Sequence, residues 1–185
     1  LPADAYAQAY RGIAPEAKKF AEAQLNTPEA KKELDSKVNS IFTSHILGDS
    51  PTGSPFFSGS ISNRPDMQNE TKLEAERFLR ANYMRGTSDD DLKTHLEGWA
   101  KRNYVYNSAS ESYVQVPPSM NSEATQKSIS ATTQYFSNKY GKDAGVYLQY
   151  MGGDRYQAMS KVGGHALGQS ITLKQMNRSE ERRVG

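Results

Sequence analysis

The chain has 185 residues with a formal net charge of +2, no cysteine and a mean hydropathy of -0.79. This length is enough to bury one core, but with only 36% hydrophobic residues much of the chain must be loop, tail or solvated helix face. The lack of cysteine excludes disulfides, thiolate metal sites and cysteine nucleophiles, and so small a net charge does not by itself indicate nucleic acid or a membrane as partner.

No apolar run approaches the roughly 20 residues that a bilayer-spanning helix requires. The first residues, LPAD, have neither the basic start nor the apolar stretch of a signal peptide. We therefore expect a soluble protein with no membrane partner, and the sequence leaves its compartment open.

Apolar residues at helical spacing dominate the chain. Thr27, Pro28 and Glu29 are typical of an N-cap, a first helical residue and an acidic first turn, and the helix that they begin is predicted to end at Gly48. Ser88 is predicted to cap another helix, because acids at the next three positions are favoured by the exposed N–H groups of a helix N-terminus. The remaining predicted helices are 15–25, 70–84, 123–140, 142–151 and 154–167, and 2–11 is an alanine-rich candidate for another. These segments predict an all-α fold of six or seven helices around one core.

Three segments interrupt the helical pattern. Residues 48–69 are rich in glycine, proline and serine and are predicted to form a long polar loop. Residues 104–117 show β-like alternation that ends at two prolines, which is consistent with a short hairpin or with a single extended crossing. Residues 174–185 are polar and charged and are predicted to form a tail, so the expected domain is 1–173.

Aromatic and basic residues alternate in the segment WAKRNYVY, which begins at Trp99. Rings beside cations suit single-stranded nucleic acid, so Lys101, Arg102 and Tyr104 are candidate contacts. Arg155 is a fourth candidate that would extend the same surface. The alternative is that Trp99 and Tyr104 lie in the core while the cations are simply solvated.

Phe56 and Phe57 form an apolar pair within the predicted polar loop. Two adjacent phenylalanines on an exposed loop would be a liability in an isolated monomer, so we expect them to be buried against the core or against a neighbouring subunit. They are therefore the candidate interface residues of a docking arm.

Three short motifs, in chain order, resemble those of arginine-directed mono-ADP-ribosyltransferases. They are YRG at 10–12, FSGSIS at 57–62 and ESYVQVPP at 111–118. The resemblance implies a fold of two mixed sheets that binds NAD, with an acid beside the ribose that stabilises the oxocarbenium ion formed as the glycosidic bond breaks.

On that resemblance, Arg11 would hold the NAD phosphates, Ser58 or Ser60 would line the nicotinamide site and Glu111 would be the remaining acid. The chain departs from the family in having Tyr113 where a second acid is expected, and it continues well beyond the third motif. It also has hardly any predicted strands from which to build two sheets.

The patterns contain no nucleophile beside a base, no metal-ligand spacing and no complete phosphate-binding loop, so an enzyme is the less favoured class and no cofactor is implied. A helical core with a proline-bounded loop and polar ends is typical of an assembly protein. We therefore predict a non-enzymatic structural or assembly subunit, of coat or nucleocapsid type, that self-associates and offers a candidate surface for single-stranded nucleic acid. The alternatives are an effector-like relative of the ADP-ribosyltransferases, active or degenerate, and a helical protein-binding module.

Overall fold

The computed structural model describes residues 26–41, 64–82 and 86–184. Within these ranges the helices are α1 (Pro28–Ile41), α2 (Pro65–Ala81), α3 (Asp89–Asn103), α4 (Glu123–Tyr140) and α5 (Leu173–Val184). The strands are β1 (Tyr104–Asn107), β2 (Ser112–Gln115), β3 (Val146–Tyr150), β4 (Arg155–Ser160) and β5 (Ile171–Thr172). The prediction of an all-α fold with six or seven helices is therefore wrong, because the second half of the chain forms two small antiparallel sheets, β1-β2 and β3-β4-β5.

Helices α1, α2 and α3 enclose the first apolar core, to which they contribute Val38, Leu79 and Leu96. The start of α3 is as the sequence predicts. The Ser88 hydroxyl accepts a hydrogen bond from the Asp91 N–H at 3.1 Å, and the Asp91 carboxylate accepts one from the Ser88 N–H at 3.3 Å. This capping box satisfies two N–H groups that would otherwise lack partners at the helix start, and the predicted cap at Ser88 is confirmed.

The β-like stretch is a hairpin, the first of the two alternatives that the sequence left open. Its register pairs Tyr106 with Tyr113, and the Asn103 carbonyl accepts a hydrogen bond from the Val116 N–H at 2.8 Å just before the first strand. Hydrogen-bonded and non-bonded pairs alternate along an antiparallel ladder. Asn103 and Val116 form a hydrogen-bonded pair, so Tyr106 and Tyr113, three pairs further along, form a non-hydrogen-bonded pair. The N–H and C=O groups of Tyr106 therefore point away from β2, and those of Tyr113 point towards β3.

The second core lies where α4 and α5 cover the inner face of the two sheets. Five of its buried side chains come from five different elements, namely Val114, Ile129, Leu148, Tyr156 and Met176. Strand β2 runs beside β3, but no backbone ladder joins the two sheets. The fold is thus a helical half and an α/β half, with the β1–β2 hairpin between them.

The predicted helices at 142–151 and 154–167 are wrong, because these segments form β3 and β4 after a short 3-10 turn. Gly152 and Gly153 have φ angles of 95° and 55°, and the chain reverses there. Such left-handed angles are favourable for glycine and match the twist of a hairpin turn. The two short apolar runs therefore pair with each other instead of continuing as helices.

Residues of both predicted polar extensions are helical. Pro65 begins α2, so the last residues of the predicted loop are helical. The segment predicted as a tail is the helix α5, whose Met176 is 1% exposed in the second core. Packing of an apolar stripe supplies most of the stability of a helix, which explains why so polar a segment is helical. The predicted segments 2–11, 15–25 and 48–63 lie outside the described residues.

Candidate functional site

The β1–β2 hairpin is covered on both faces. On one face Tyr104 is buried in the helical half, where its ring packs edge-on against Trp99 with the centroids 5.6 Å apart. On the other face Val114 lies in the second core, and Asn107 donates a hydrogen bond from Nδ2 to Thr133 Oγ1 of α4 at 3.0 Å. What the hairpin presents to another molecule is therefore its outer edge.

Strand β1 forms that outer edge. In the described part of the chain it pairs with β2 alone, so the N–H and C=O of Tyr106 point towards solvent. The strand reads YVYN and has none of the lysines, prolines or bulges by which edge strands usually avoid pairing. The Tyr106 side chain is 57% exposed, and its ring packs edge-on against Tyr113 at 5.5 Å. This edge is suited to strand pairing with another chain.

A groove of about 240 Å³ lies beside the same edge, between β1 and the first half of α4. Val105, Val114 and Ile129 line its apolar floor. Glu123 and Lys127 stand on its α4 side with their charged atoms 3.7 Å apart. An added strand lies roughly 4.8 Å from its neighbour, so a chain paired with β1 would enter this groove.

Arg64 connects the two halves of the fold. Its side chain is 2% exposed, and its Nε and Nη2 donate to the two Asp66 carboxylate oxygens at 3.0 and 2.9 Å. Its Nη1 donates to the Tyr113 carbonyl at 2.7 Å and to Ser112 Oγ at 3.3 Å, while the guanidinium lies 4.0 Å from the centroid of the Tyr147 ring. A side chain from the start of α2 thus satisfies a carbonyl of β2 at the seam where backbone pairing with β3 is missing.

Tyr156 makes the second contact across this seam. Its hydroxyl donates to the Gln115 carbonyl of β2 at 2.8 Å, and its side chain is fully buried. Burial raises the pKa of Tyr156 and so keeps the hydroxyl protonated as a donor. Together, Arg64 and Tyr156 replace two backbone donors and tie the sheets together through side chains.

The turn of the hairpin brings charged groups together at one corner. Glu111 has a φ of 51°, which is unusual for a residue with a side chain. Lys161 Nζ donates to the Ser110 carbonyl at 3.2 Å. Partial burial, followed by the positive charge of Arg64, lowers the pKa of Lys161, and the Glu111 carboxylate opposes that effect. A lysine of lowered pKa has a larger fraction of neutral, nucleophilic amine at a given pH, but no second catalytic group is positioned by these contacts.

The four predicted nucleic-acid contacts fall in different settings. Lys101 and Arg102 are adjacent and exposed in the last turn of α3, where cations also favour the helix dipole. Tyr104 is 7% exposed, so its ring lies in the core and not on the surface. Arg155 is exposed at the start of β4, in the other sheet, and donates to Ser170 Oγ at 3.4 Å. Binding of nucleic acid by these residues stays a prediction.

The transferase-like motifs are only partly within the described ranges. Glu111 lies in the turn directly before β2, and two prolines follow that strand, in the order that the resemblance implies. Tyr113, in the place of the second acid, is half-buried beside Tyr106. The other residues of these motifs, and the predicted docking pair, lie outside the described residues: Arg11, Ser58, Ser60, Phe56 and Phe57.

Of the two histidines that the structure describes, His95 makes structural contacts. His95 Nε2 lies 2.9 Å from Glu74 Oε1, and its ring stacks on Phe78 with the centroids 4.0 Å apart. His165 is exposed. Over residues 26–41, 64–82 and 86–184, no three metal-ligating side chains cluster, and no helix is both long and apolar enough to span a bilayer.

Sequence reasoning did not find Arg64, Tyr147 or the open edge of β1. Arg64 lies within the predicted polar loop, and its hydrogen-bond partners are up to 49 residues away along the chain, with Tyr147 farther still, so no local pattern indicates its burial. The uncharged run YVYN was the one usable signal for the edge, because a strand lacking charges and proline is not protected against pairing.

Comparison of the chain with protein-family models, with curated proteins and with solved structures finds no match, so no family is assigned to it.

Proposed function

We propose that this chain is a non-enzymatic assembly subunit whose copies associate by pairing their β1 strands edge to edge. The observation that carries the proposal is the uncharged outer edge of β1, where the Tyr106 backbone points away from β2, with no further strand among the described residues, beside a groove with an apolar floor. Main-chain hydrogen bonds supply affinity in strand addition, and side-chain pockets beside the strand supply selectivity.

The hairpin register supports one simple pairing of two copies. The outward-pointing residues of β1 are Tyr104 and Tyr106, and the Tyr104 N–H is already bonded to the Ala100 carbonyl. A two-fold axis at Tyr106 therefore gives the simplest pairing, in which each Tyr106 N–H donates to the Tyr106 carbonyl of the other copy. Each such bond contributes about 0.5–1.5 kcal/mol net.

Strand pairing of this length is weak on its own, because stable interfaces bury roughly 1,200 Å² or more. The exposed Tyr106 ring and the groove beside α4 offer further contact area on the same side of the molecule. Tyrosine adds contact area at low entropic cost and is favoured at interfaces. We therefore expect a concentration-dependent association and not a permanent dimer.

Sedimentation velocity over a dilution series, with Tyr106→Pro and Tyr106→Ala as matched variants, tests the proposal. Both variants lose the ring and its contact with Tyr113, but only proline removes the outward N–H. Proline is tolerated at an edge position whose N–H faces solvent, so the fold should survive. We expect association by the wild type, weaker association by Tyr106→Ala and none by Tyr106→Pro.

A wild-type chain that sediments as a monomer at high concentration would refute self-association. Equal association by the two variants would show that copies meet elsewhere. If the chain instead binds an extended peptide of another protein, and Tyr106→Pro abolishes that binding, then strand addition holds but the occupant is a partner and not a second copy.

An ADP-ribosyltransferase relative is the second candidate function. The position of Glu111, in a turn directly before a strand that ends at two prolines, favours it. The test is release of nicotinamide from NAD by the wild type and by Glu111→Gln, with Glu123→Gln as an exposed control. Activity that is lost only in Glu111→Gln supports an enzyme, and no activity in the wild type excludes an active transferase.

A further inference from the structure

A second cavity, of about 310 Å³, lies between α4, β5 and α5, away from the β1 edge. Tyr135 and Phe136 of α4 form one side of it, and Ile171 and Met176 form its apolar floor. Met176 is 1% exposed, whereas the Tyr135 side chain is 48% exposed, so the cavity deepens from an aromatic rim to an apolar base.

The two rings stand almost at right angles. Their centroids are 5.3 Å apart and their planes are inclined by 82°. In this edge-to-face pair the edge of one ring points towards the face of the other, and Phe136 also stacks on Tyr140 with the centroids 6.2 Å apart. Each ring face carries the negative end of the ring quadrupole, so it attracts a cation and also tolerates apolar groups attached to that cation.

A carboxylate completes the cavity. Glu180 of α5 lines it and is partly buried, and no described side chain forms an ion pair with Glu180. Arg178 and Arg182 are two residues away on either side, which places them on the opposite side of the helix, and both are exposed. The charge that faces the cavity from its described lining is therefore negative.

We propose that this cavity binds an alkylammonium cation whose methyl groups rest on the apolar floor while its charge meets the ring faces and the Glu180 carboxylate. A methylated ammonium suits the site better than a bare one, because it is easily desolvated and its charge is spread over apolar methyl groups. The same chemistry occurs in a free choline-like molecule and in an N-methylated lysine of a peptide.

Titration of the isotope-labelled protein by NMR tests the site, with three probes of matched shape. The probes are choline, a short peptide containing trimethyllysine, and 3,3-dimethyl-1-butanol, which is the uncharged isostere of choline. We expect saturable shifts of cavity resonances in the millimolar range with choline or the peptide, and at least roughly tenfold weaker binding of the neutral isostere. The tighter of the two cationic probes identifies the source of the ammonium group.

Three variants assign the effect to the named residues. Tyr135→Leu keeps apolar volume but removes a ring face and should weaken choline binding about tenfold. Glu180→Gln should weaken it about threefold to tenfold, by an amount that shrinks as salt is added. Glu181→Gln removes an exposed carboxylate of the same helix outside the cavity and should leave the affinity unchanged. Equal binding of choline and its neutral isostere, or no saturable shift with either cation, would overturn the proposal.

Discussion

Replacing Arg64 by alanine should lower the free energy of unfolding more than replacing any exposed residue, because Arg64 joins the two halves of the fold. The alanine variant leaves the Asp66 carboxylate without its two donors and the Tyr113 carbonyl without its 2.7 Å partner. It also removes the guanidinium from the face of the Tyr147 ring. All of these groups lie at the seam between β2 and β3, where no backbone ladder compensates for the loss.

The size of the effect follows from these contacts. Breaking a buried ion pair by removing one partner costs about 3–5 kcal/mol. An orphaned buried carbonyl alone costs about 1–3 kcal/mol, and a desolvated cation–π contact about 2 kcal/mol. The Asp66 side chain is 18% exposed and regains some hydration, so these terms do not simply add. We expect the free energy of unfolding to fall by about 3–5 kcal/mol.

Urea denaturation followed by circular dichroism measures this change as a lower midpoint at unchanged slope. Removing Asp66 as well should recover part of the loss, so the double variant Arg64→Ala/Asp66→Ala should be less destabilised than the sum of the single variants. Arg155→Ala is the matched control, because that arginine is exposed and makes one 3.4 Å bond. A loss below about 1 kcal/mol for Arg64→Ala would refute the structural role assigned to Arg64.

Three further predictions concern pH, nucleic acid and backbone strain. Burial raises the pKa of Tyr104 and Tyr156, so as the pH rises the unfolded chain loses these two protons before the folded chain does. The free energy of unfolding should therefore fall above about pH 10, by about 1.4 kcal/mol per pH unit for each tyrosine. Urea titrations at several pH values measure this fall. A pH-independent stability between pH 10 and 11 would contradict this. Arg102→Ala should reduce the affinity for single-stranded oligonucleotides in fluorescence anisotropy and lower the salt slope by about 1, and an unchanged slope would reject Arg102 as a phosphate contact. Glu111→Asn should stabilise the protein by under about 1 kcal/mol and so raise the thermal midpoint, because asparagine adopts a φ of 51° more readily than glutamate. A lower thermal midpoint would contradict backbone strain at Glu111.

The starts of α1 and α3 and both ends of α4 were predictable from the sequence because their signals are local. The Thr27 hydroxyl accepts a hydrogen bond from the Ala30 N–H at 3.2 Å just before α1 begins at Pro28. Helix α4 runs from Glu123 to Tyr140, which are its predicted bounds, and ends before Gly141, whose φ is 89°. Capping residues and a glycine stop act within one turn of the helix, so short segments of sequence are enough to identify them.

The strands of the second half were not predictable from periodicity alone. The segment VYLQY of β3 is short and apolar on both faces, because Leu148 lies in the second core while Tyr147 lies beneath Arg64. Such a run is consistent with a buried strand or a helix segment. The signal that would have separated them was Gly152-Gly153 between two short runs, which is typical of a hairpin turn.

The residues of the candidate edge could be predicted only in part. The β-like alternation after Asn103 indicated a strand, but its role as the outer strand depends on which neighbours the fold supplies. The ring of Tyr104, predicted to stack on nucleic acid, is instead packed against Trp99. Which residues of a hairpin are exposed depends on the elements that pack against each of its faces. Those elements are distant in sequence, so the local pattern does not identify them.

Cysteine crosslinking at position 106 tests the central claim, self-association through the β1 edge, most directly. The natural chain has no cysteine, so each introduced thiol is the only one present. In the proposed two-fold pairing the two copies of residue 106 face each other with Cα atoms about 5.5 Å apart, which is within the range that a disulfide spans. Under mild oxidation, Tyr106→Cys should form a covalent dimer that is absent for Tyr140→Cys, an exposed control on α4. Failure of Tyr106→Cys to crosslink above the level of that control would contradict the proposed assembly.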